Sequence, residues 1–300
     1  MVETSSPEKL IFPEHTKGEV VAYYRAFAAR ILPHVMNRPV TLERYPAGIG
    51  AKGIMQKNAA KHFPAYIGRY EVPKRDGTTV YPVITSADGV TYLANQGTVT
   101  FHIPTARIDE QPDRLIIDLD PEEGDVAQVR KAAVAMRRIL DEVGLPPLLM
   151  TSGSKGYHLV VPLQTDRTQP NTAELAHGVA AIAAHRHPDL FTIEFLKKNR
   201  GGRVFVDWMR NTEGATAVAP YSLRARDEAP IAMPLSWDEL ADTAPRSWTL
   251  LRAVDRAEEA WPDFADVAVD PTQPSEVVVR ALEEAELALV DVDRFGRRSE

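Results

Sequence analysis

The first clear pattern along the chain is helical. In "PEHTKGEVVAYYRAFAARILPHV" apolar residues fall at 20, 21, 24, 27, 28, 31 and 32, the spacing of one helix face. Thr16 and Glu19 stand ahead of that stripe in S/T-x-x-E order, a capping box, so a helix over about 17–32 is expected. Segments 40–45, 79–85, 90–94 and 98–103 are short runs between Gly, Pro, Asn and Asp breakers and read as strands. From residue 114 the alternation becomes regular. A strand over 114–120 leads to a helix that starts near Asp125 and stops at Gly144. Strands 147–152 and 157–162 flank a Gly-rich turn, a second helix begins at an Asn171/Glu174 cap, and strands 191–196 and 203–208 close the run. That order, β-α-β-β-α-β with one more strand, predicts an α/β (α+β) fold built on an RRM-like split sheet. Its helices should cover one face and leave the other for a ligand. An N-terminal mixed α/β portion is expected to pack on this sheet. After residue 230, "PLSWDELADTAPRSWTL" and the helix-like 275–290 read as peripheral packing.

Composition narrows the class of protein. Three hundred residues with 44% hydrophobic and 26% charged side chains suit a soluble globular chain with a real core. There is no run of 18 apolar residues for a membrane span, and "MVETSSPEKLIFPEH" lacks the apolar region of a secretory signal. With zero cysteines, disulfides and thiolate metal sites are excluded, and a cytoplasmic location is the expectation. Any metal must then be held by Asp, Glu or His, which favours hard ions such as Mg²⁺ or Mn²⁺. The net charge of −7 argues against a polyanionic partner until its distribution is seen. Residues 1–75 hold 12 Lys/Arg against 6 Asp/Glu, whereas residues 255–300 hold 5 Arg against 13 Asp/Glu. A basic front is masked by an acidic tail.

Three stretches could carry chemistry. "RLIIDLDPEEGD" ends an apolar strand with Asp118 and Asp120, whose side chains project to the same face. Carboxylates that close repel unless a cation serves both, so a divalent-metal site is one reading. A phosphatase nucleophile and a plain charged strand end are the others. "TSGSKGYH" (151–158) offers two glycines, Ser152, Ser154 and Lys155 on a turn between strands, which suits either an ordinary hairpin or a phosphate cradle. In "RGGRVFVDWMRN" alternation puts Arg203, Phe205 and Asp207 on one face. A carboxylate in so apolar a run needs a cation or a full set of donors, and Arg203 or Arg210 could serve as a plain partner.

Taken together, "DLD" at 118–120, "SGSKGYH" at 152–158 and "VFVDW" at 204–208 resemble, in order, the three motifs of the archaeo-eukaryotic primase superfamily. The closer likeness is to its bacterial end-joining branch, the polymerase domain of ligase D and its stand-alone relatives, over about residues 9–250. The resemblance implies a template-directed nucleotidyl transferase preferring ribonucleotides, acting in end joining or gap filling, with primase activity as a further expectation for this chain. It implies a single primase-polymerase domain over 1–300. Within it, 1–110 would carry a basic DNA-binding surface, 111–230 the catalytic sheet and 231–300 a peripheral acidic region. Asp118, Asp120 and Asp207 would hold two divalent ions, Mn²⁺ or Mg²⁺, that activate the primer 3′-hydroxyl and clamp the triphosphate. Ser152 and Lys155 would bind triphosphate oxygens, and His158 would donate to phosphate or brace the turn. His102, Arg200, Arg224 and Arg226 match nucleotide-binding positions. Lys9, Lys17 and Lys57 match DNA-binding ones, the first two at the 5′-phosphate of a gap.

The implied partners are primer-template DNA, gapped or broken ends, rNTPs and dNTPs, with Ku and a DNA ligase as protein partners. The chain departs from that pattern in two places. "SSPEK" stands where an Asn usually precedes the Lys, and Ile54 and Met55 replace paired aromatics that commonly wedge against the template. Lost base stacking is typically about 1–3 kcal/mol per base, so weaker template gripping and a stand-alone homologue are expected. Two other readings compete: a haloacid-dehalogenase-type phosphatase with Asp118 as nucleophile, and an inactive nucleic-acid-binding module. The first needs a Thr or Val two places after the second Asp, where Glu122 stands. The second is disfavoured by intact carboxylates in all three motifs.

Overall fold

The computed structural model describes residues 2–74, 77–122, 125–165, 169–256 and 258–289. Glu123, Gly124 and residue 290 of the helix-like tail lie outside the described residues. The chain divides into two compact units, each assembled from separated segments. The first comprises residues 1–109, 216–233 and 246–259, and the second 110–215, 234–245 and 260–300. The change of unit after Asp109 falls at the division expected at 110, whereas the segment 216–233 runs across the one expected at 230.

In the first unit, α1 (Lys17–Val35) begins as expected: Thr16 accepts from the Glu19 amide and the Glu19 carboxylate accepts from the Thr16 amide. Its stripe of Val20, Val21, Tyr24, Ala28 and Ile31 is buried. Strands β1 (Thr41–Arg44) and β2 (Ile54–Gln56) precede a two-stranded ribbon of β3 (Ile67–Lys74) and β4 (Gly77–Ile84). The segment 90–94, expected as a strand, lies instead inside α2 (Ala87–Asn95). Val90, Thr91 and Tyr92 give it strand-like composition, but Ser86 caps the Gly89 amide and Val90 and Leu93 bury one helical face. Strand β5 (Thr98–Ile103) then pairs with β1.

The second unit holds the split sheet. Strand β6 (Arg114–Asp120) is followed by α3 (Val126–Glu142), β7 (Leu148–Thr151), β8 (Tyr157–Pro162), α4 (Thr172–Arg186), β9 (Phe191–Thr192) and β10 (Val204–Asp207). Caps Asp125 and Asn171 open the two helices, and Gly144, at φ +82°, lies just beyond the end of α3. The expected strand 191–196 extends only to Thr192, after which the chain enters a loop. In the first unit, β11 (Ala217–Val218) completes a four-stranded sheet ordered β11-β5-β1-β2. In the second, β12 (Pro234–Leu235) joins a six-stranded sheet ordered β12-β7-β8-β6-β10-β9. Its central four strands are antiparallel neighbours in split-βαβ order. This is not the alternating parallel sheet that the phosphatase reading requires.

Helices α3 and α4 pack on this sheet, and Leu115, Ile117 and Leu119 of β6 are fully buried. The alternate positions 116, 118 and 120 belong to the opposite face. Residues 234–245, part of the stretch expected to be peripheral, belong to this unit's core. Tyr157 donates to the Thr243 carbonyl and Trp237 to that of Pro147. Short α5 (Phe264–Val267) precedes α6 (Thr272–Glu284), whose Val278 closes on Gly178 of α4, where a Cβ would stand 2.5 Å from its methyl.

Candidate active site

The register of three strands creates the site. On β6, Asp118 stands directly opposite Asp207 of β10 on one side and His158 of β8 on the other. The row His158, Asp118, Asp207 therefore shares one face, joined by Asp120 two residues along. Two carboxylates facing each other across neighbouring strands form a concentrated negative site. The Asp118 and Asp207 side chains are 14% and 10% exposed, whereas Asp120 is 42% exposed.

The cation that relieves this pair is Arg210, in the turn just after β10. Its Nη2 lies 3.2 Å from Asp118 Oδ2 and 3.0 Å from Asp207 Oδ2, and its Nε donates to Asp118 Oδ2 at 3.2 Å. On the far side, His158 Nε2 is 3.4 Å from Asp118 Oδ1. Burial alone favours the protonated acid. At Asp118 the neighbouring His158 ring and Arg210 guanidinium outweigh it and hold the carboxyl well below its ordinary value. At Asp207 burial prevails over Arg210, aided by the charge of Asp118, and the carboxyl is pushed up. The pair is thus driven apart by its surroundings. Of the two arginines read as partners, Arg210 is the one Asp207 uses; Arg203 donates instead to the carbonyls of Arg200 and Asn199.

The turn between β7 and β8 reaches this sheet edge because of its glycines. Gly156 runs so close to β6 that a Cβ would stand 1.7 Å from the Leu119 carbonyl oxygen. Gly153 takes φ +62°. Ser152 builds the turn, its Oγ accepting from the Ser154 and Gly156 amides at 3.1 Å each. Lys155 donates to the Glu122 carbonyl at 3.0 Å, so it lies over the end of β6. Arg200 is 4% exposed and fully engaged. It donates to Asp120 at 3.1 Å and to the carbonyls of Glu194 and Phe195, and its guanidinium carbon lies 4.1 Å from the Phe205 ring centre.

The second unit therefore brings together Asp118, Asp120, Asp207, Ser152, Lys155, His158 and Arg200. The remaining candidates belong to the first. His102 on β5 faces Glu43 on β1, Nε2 to Oε2 at 3.3 Å, and the Tyr45 hydroxyl donates to Glu43 at 2.8 Å. The His102 hydrogen bond, working against burial and helped by Tyr45, holds the Glu43 carboxyl at about 2. Burial and Glu43 push the Tyr45 phenol up to about 12, opposed by the charges of Arg226 and Arg224. Glu43 escaped the sequence reading because it meets His102 only through the β1–β5 pairing, and Tyr45 because it acts through Glu43. Lys9 and Lys17 are neighbours: the Lys17 amide donates to the Lys9 carbonyl at 2.7 Å. Burial, then the charge of Lys9, lowers the Lys17 ammonium below its ordinary value. Lys57 follows β2, an edge strand that presents Ile54 and Met55, the replacements for the aromatic pair, at 49% and 56% exposure.

Whether a divalent ion suits the sheet edge can be tested on its donors. All three carboxylates supply hard oxygens on one face, and a cation position between Asp118 and Asp207 is already defined by the guanidinium that spans them. His158 Nδ1 is buried and has no hydrogen-bond partner among the described residues. Among those residues no group of three or more Asp, Glu or His side chains is placed, as it stands, to hold a metal ion. The chemistry fits, and Arg210 is what an ion would meet.

Comparison with known proteins identifies the family of the chain and its fold. The profile of the family described as LigD, primase-polymerase domain, matches residues 16–264. The multifunctional non-homologous end joining protein LigD of Mycolicibacterium smegmatis is 36% identical over 248 residues, covering 80% of this chain and 32% of that protein. Its Mycobacterium tuberculosis counterpart is 37% identical over 258 residues, 82% of this chain and 34% of that protein. The Bacillus subtilis bifunctional LigD is 31% identical over 244 residues, 80% of this chain and 39% of the relative. This chain thus spans about a third of the curated relatives' length. The solved polymerase domain from Mycobacterium tuberculosis ligase D in complex with DNA superposes with a TM-score of 0.80 at 35% identity, covering 86% of this chain and 96% of that one.

Proposed function

The chain belongs to the LigD primase-polymerase domain family, and from that premise we propose that it extends a DNA primer against a template, preferring ribonucleotides, to fill gaps or broken ends during end joining. As a family member it is a nucleotidyltransferase of the polymerase type. The observation that carries the finer reading is the facing pair Asp118 and Asp207, with Asp120 and His158 on the same sheet face. Asp118, Asp120 and Asp207 would hold Mn²⁺ or Mg²⁺, two ions in the full reading. When bound, such ions supply Lewis-acid stabilisation of the triphosphate and of the primer 3′-oxygen.

The protein's own part is positional. His158 fixes the orientation of Asp118 through Oδ1, leaving Oδ2 toward the pair. The Ser152 turn and Lys155 set a small cationic rim beside Asp118 and Asp120, suited to phosphate oxygens. Arg200 holds Asp120 and the 194–200 loop together and can meet a triphosphate only by exchanging those bonds. In the first unit, Glu43 and Tyr45 orient His102 toward the role of a nucleotide contact, with Arg224 and Arg226 as basic neighbours. Lys9, Lys17 and Lys57 supply the phosphate-binding surface for primer-template or gapped DNA, and Ku and a DNA ligase are the proteins such a repair step would call on. A cytoplasmic location goes with this reading; no described helix is long and apolar enough to cross a membrane.

The test is primer extension with labelled rNTPs and Mn²⁺. Asp118→Ala and Asp207→Ala should each lose at least about a hundredfold in incorporation, as loss of a metal ligand implies. Full incorporation by either variant removes the metal assignment. Rapid hydrolysis of p-nitrophenyl phosphate with no extension would return the phosphatase reading.

A further inference from the structure

Arg210 has no place in the nucleotidyl-transfer reading so far, yet it occupies the centre of the carboxylate row. One nitrogen, Nη2, bridges Asp118 and Asp207 at 3.2 and 3.0 Å. The two carboxylates are nearly buried, but the Arg210 side chain that joins them is 40% exposed and reaches the site from the solvent side. Its backbone is fixed. The Met209 amide donates to Asp207 Oδ1, and the Asn211 side chain bonds the Ile116 amide and carbonyl and the Trp208 carbonyl. A rigid turn therefore carries one long, partly exposed cationic side chain over a pair of buried anions. Such a side chain can leave without disturbing the sheet.

We propose that Arg210 is a built-in counter-ion that occupies the cation position between Asp118 and Asp207 in the metal-free chain and swings out when a divalent ion binds, so that it sets metal affinity. The inference rests on the metal-site reading above and assigns Arg210 a role in it as a positioning residue. Two facing buried carboxylates left bare would be strongly destabilising, which explains a resident cation. A guanidinium and a divalent ion cannot share the space between two Oδ2 atoms, because like charges at that distance repel. Binding therefore selects the Arg-out arrangement, and apparent affinity is reduced by the fraction of chains in it. Removing the competitor removes that reduction. A purely structural ion pair makes the opposite forecast, since its loss would loosen the carboxylates and weaken metal binding.

The decisive measurement is direct Mn²⁺ binding, by calorimetry and by the electron paramagnetic resonance signal of free Mn²⁺, on protein without nucleotide or DNA. Arg210→Gln should bind Mn²⁺ about tenfold more tightly than the unsubstituted protein, melt at lower temperature without metal, and recover more on adding Mn²⁺. Arg210→Lys, which keeps the charge, should bind close to wild type. A second readout needs no substitution that could impair folding. In the wild-type protein, Mg²⁺ titration should move the Arg210 Nε–H resonance from a protected, shifted position to that of a solvated arginine. Equal or weaker binding by Arg210→Gln, or an Arg210 resonance indifferent to saturating Mg²⁺, overturns the proposal. Asp118→Asn separates its failure from that of the metal site. If Mn²⁺ binding depends on Asp118 but not on Arg210, only this inference falls. If Asp118→Asn binds like wild type, the metal site and the inference fall together.

Discussion

At the scale of single residues, the site depends on atoms with no tolerance for change. Gly156 is the sharpest case. Its missing Cβ is what lets the 152–156 turn lie on β6, since the added carbon would sit 1.7 Å from the Leu119 oxygen. Gly156→Ala must push the turn off the strand that carries Asp118 and Asp120. We expect a stability loss of about 1–3 kcal/mol or more in urea unfolding, with primer extension reduced beyond what the lost folded fraction explains. Glu43 offers a pH-dependent test of the His102 pairing. Its carboxyl falls from an ordinary 4.5 to about 2 on folding, through the His102 bond first. A depressed acid contributes stability that is full above the unfolded value and lost as pH falls through the folded one. Unfolding free energy should therefore decline between about pH 4.5 and 2, and Glu43→Gln should flatten that part of the profile. An unchanged slope would disprove the pairing. Sequence could point to Asp118 and Asp120, because alternation alone places them on one face. It could not point to Glu43, whose significance comes from a partner 59 residues away across a strand pair.

At the scale of elements, the chain was readable wherever a local signal agreed with the tertiary environment. The Thr16/Glu19 box and the Asp125 and Asn171 caps all appear as side-chain bonds at helix starts. Local signals failed where packing decided. Val90, Thr91 and Tyr92 favour a strand by type, but a cap at Ser86 and a buried face made them helix. Strand β3 was missed because it carries Pro73 and alternates buried and exposed positions only weakly. The short turn after β10 matters more to the site than its length suggests. Asn211 bonds both polar groups of Ile116 in the middle of β6 as well as Trp208. It locks the segment bearing Asp207 and Arg210 to the strand bearing Asp118. Asn211→Ala leaves a buried amide and carbonyl unpaired, at about 1–3 kcal/mol. Calorimetric melting should fall accordingly, and incorporation rate should drop more than nucleotide KM rises, because the carboxylates lose their mutual register.

At the scale of the whole molecule, net charge misleads and its placement informs. A chain of net −7 is an unpromising DNA binder until the +6 of residues 1–75 is separated from the −8 of residues 255–300. Within the first unit that positive charge is not evenly spread. Lys9 and Lys17 are tied by a backbone hydrogen bond, and Lys17 holds the Ser5 carbonyl and hydroxyl at 2.7 and 2.8 Å. Two ammonium groups kept together at a cost in burial and repulsion suit a dianionic terminal phosphate better than one phosphodiester. Each phosphate neutralised contributes about 0.9 to the slope of log affinity against log salt on duplex DNA. Gapped DNA bearing a 5′-phosphate should therefore bind more tightly than the same gap ending in a hydroxyl, and the difference should shrink as salt rises. Lys9→Ala with Lys17→Ala should abolish that difference and lower the salt slope by about 1–2, while leaving the hydroxyl-ended gap nearly as before. Fluorescence anisotropy from low to moderate salt reads both quantities. Equal affinity of the wild-type protein for the two gaps would mean that the lysine pair grips backbone alone, and that the departure at "SSPEK" has cost this chain its recognition of the broken end.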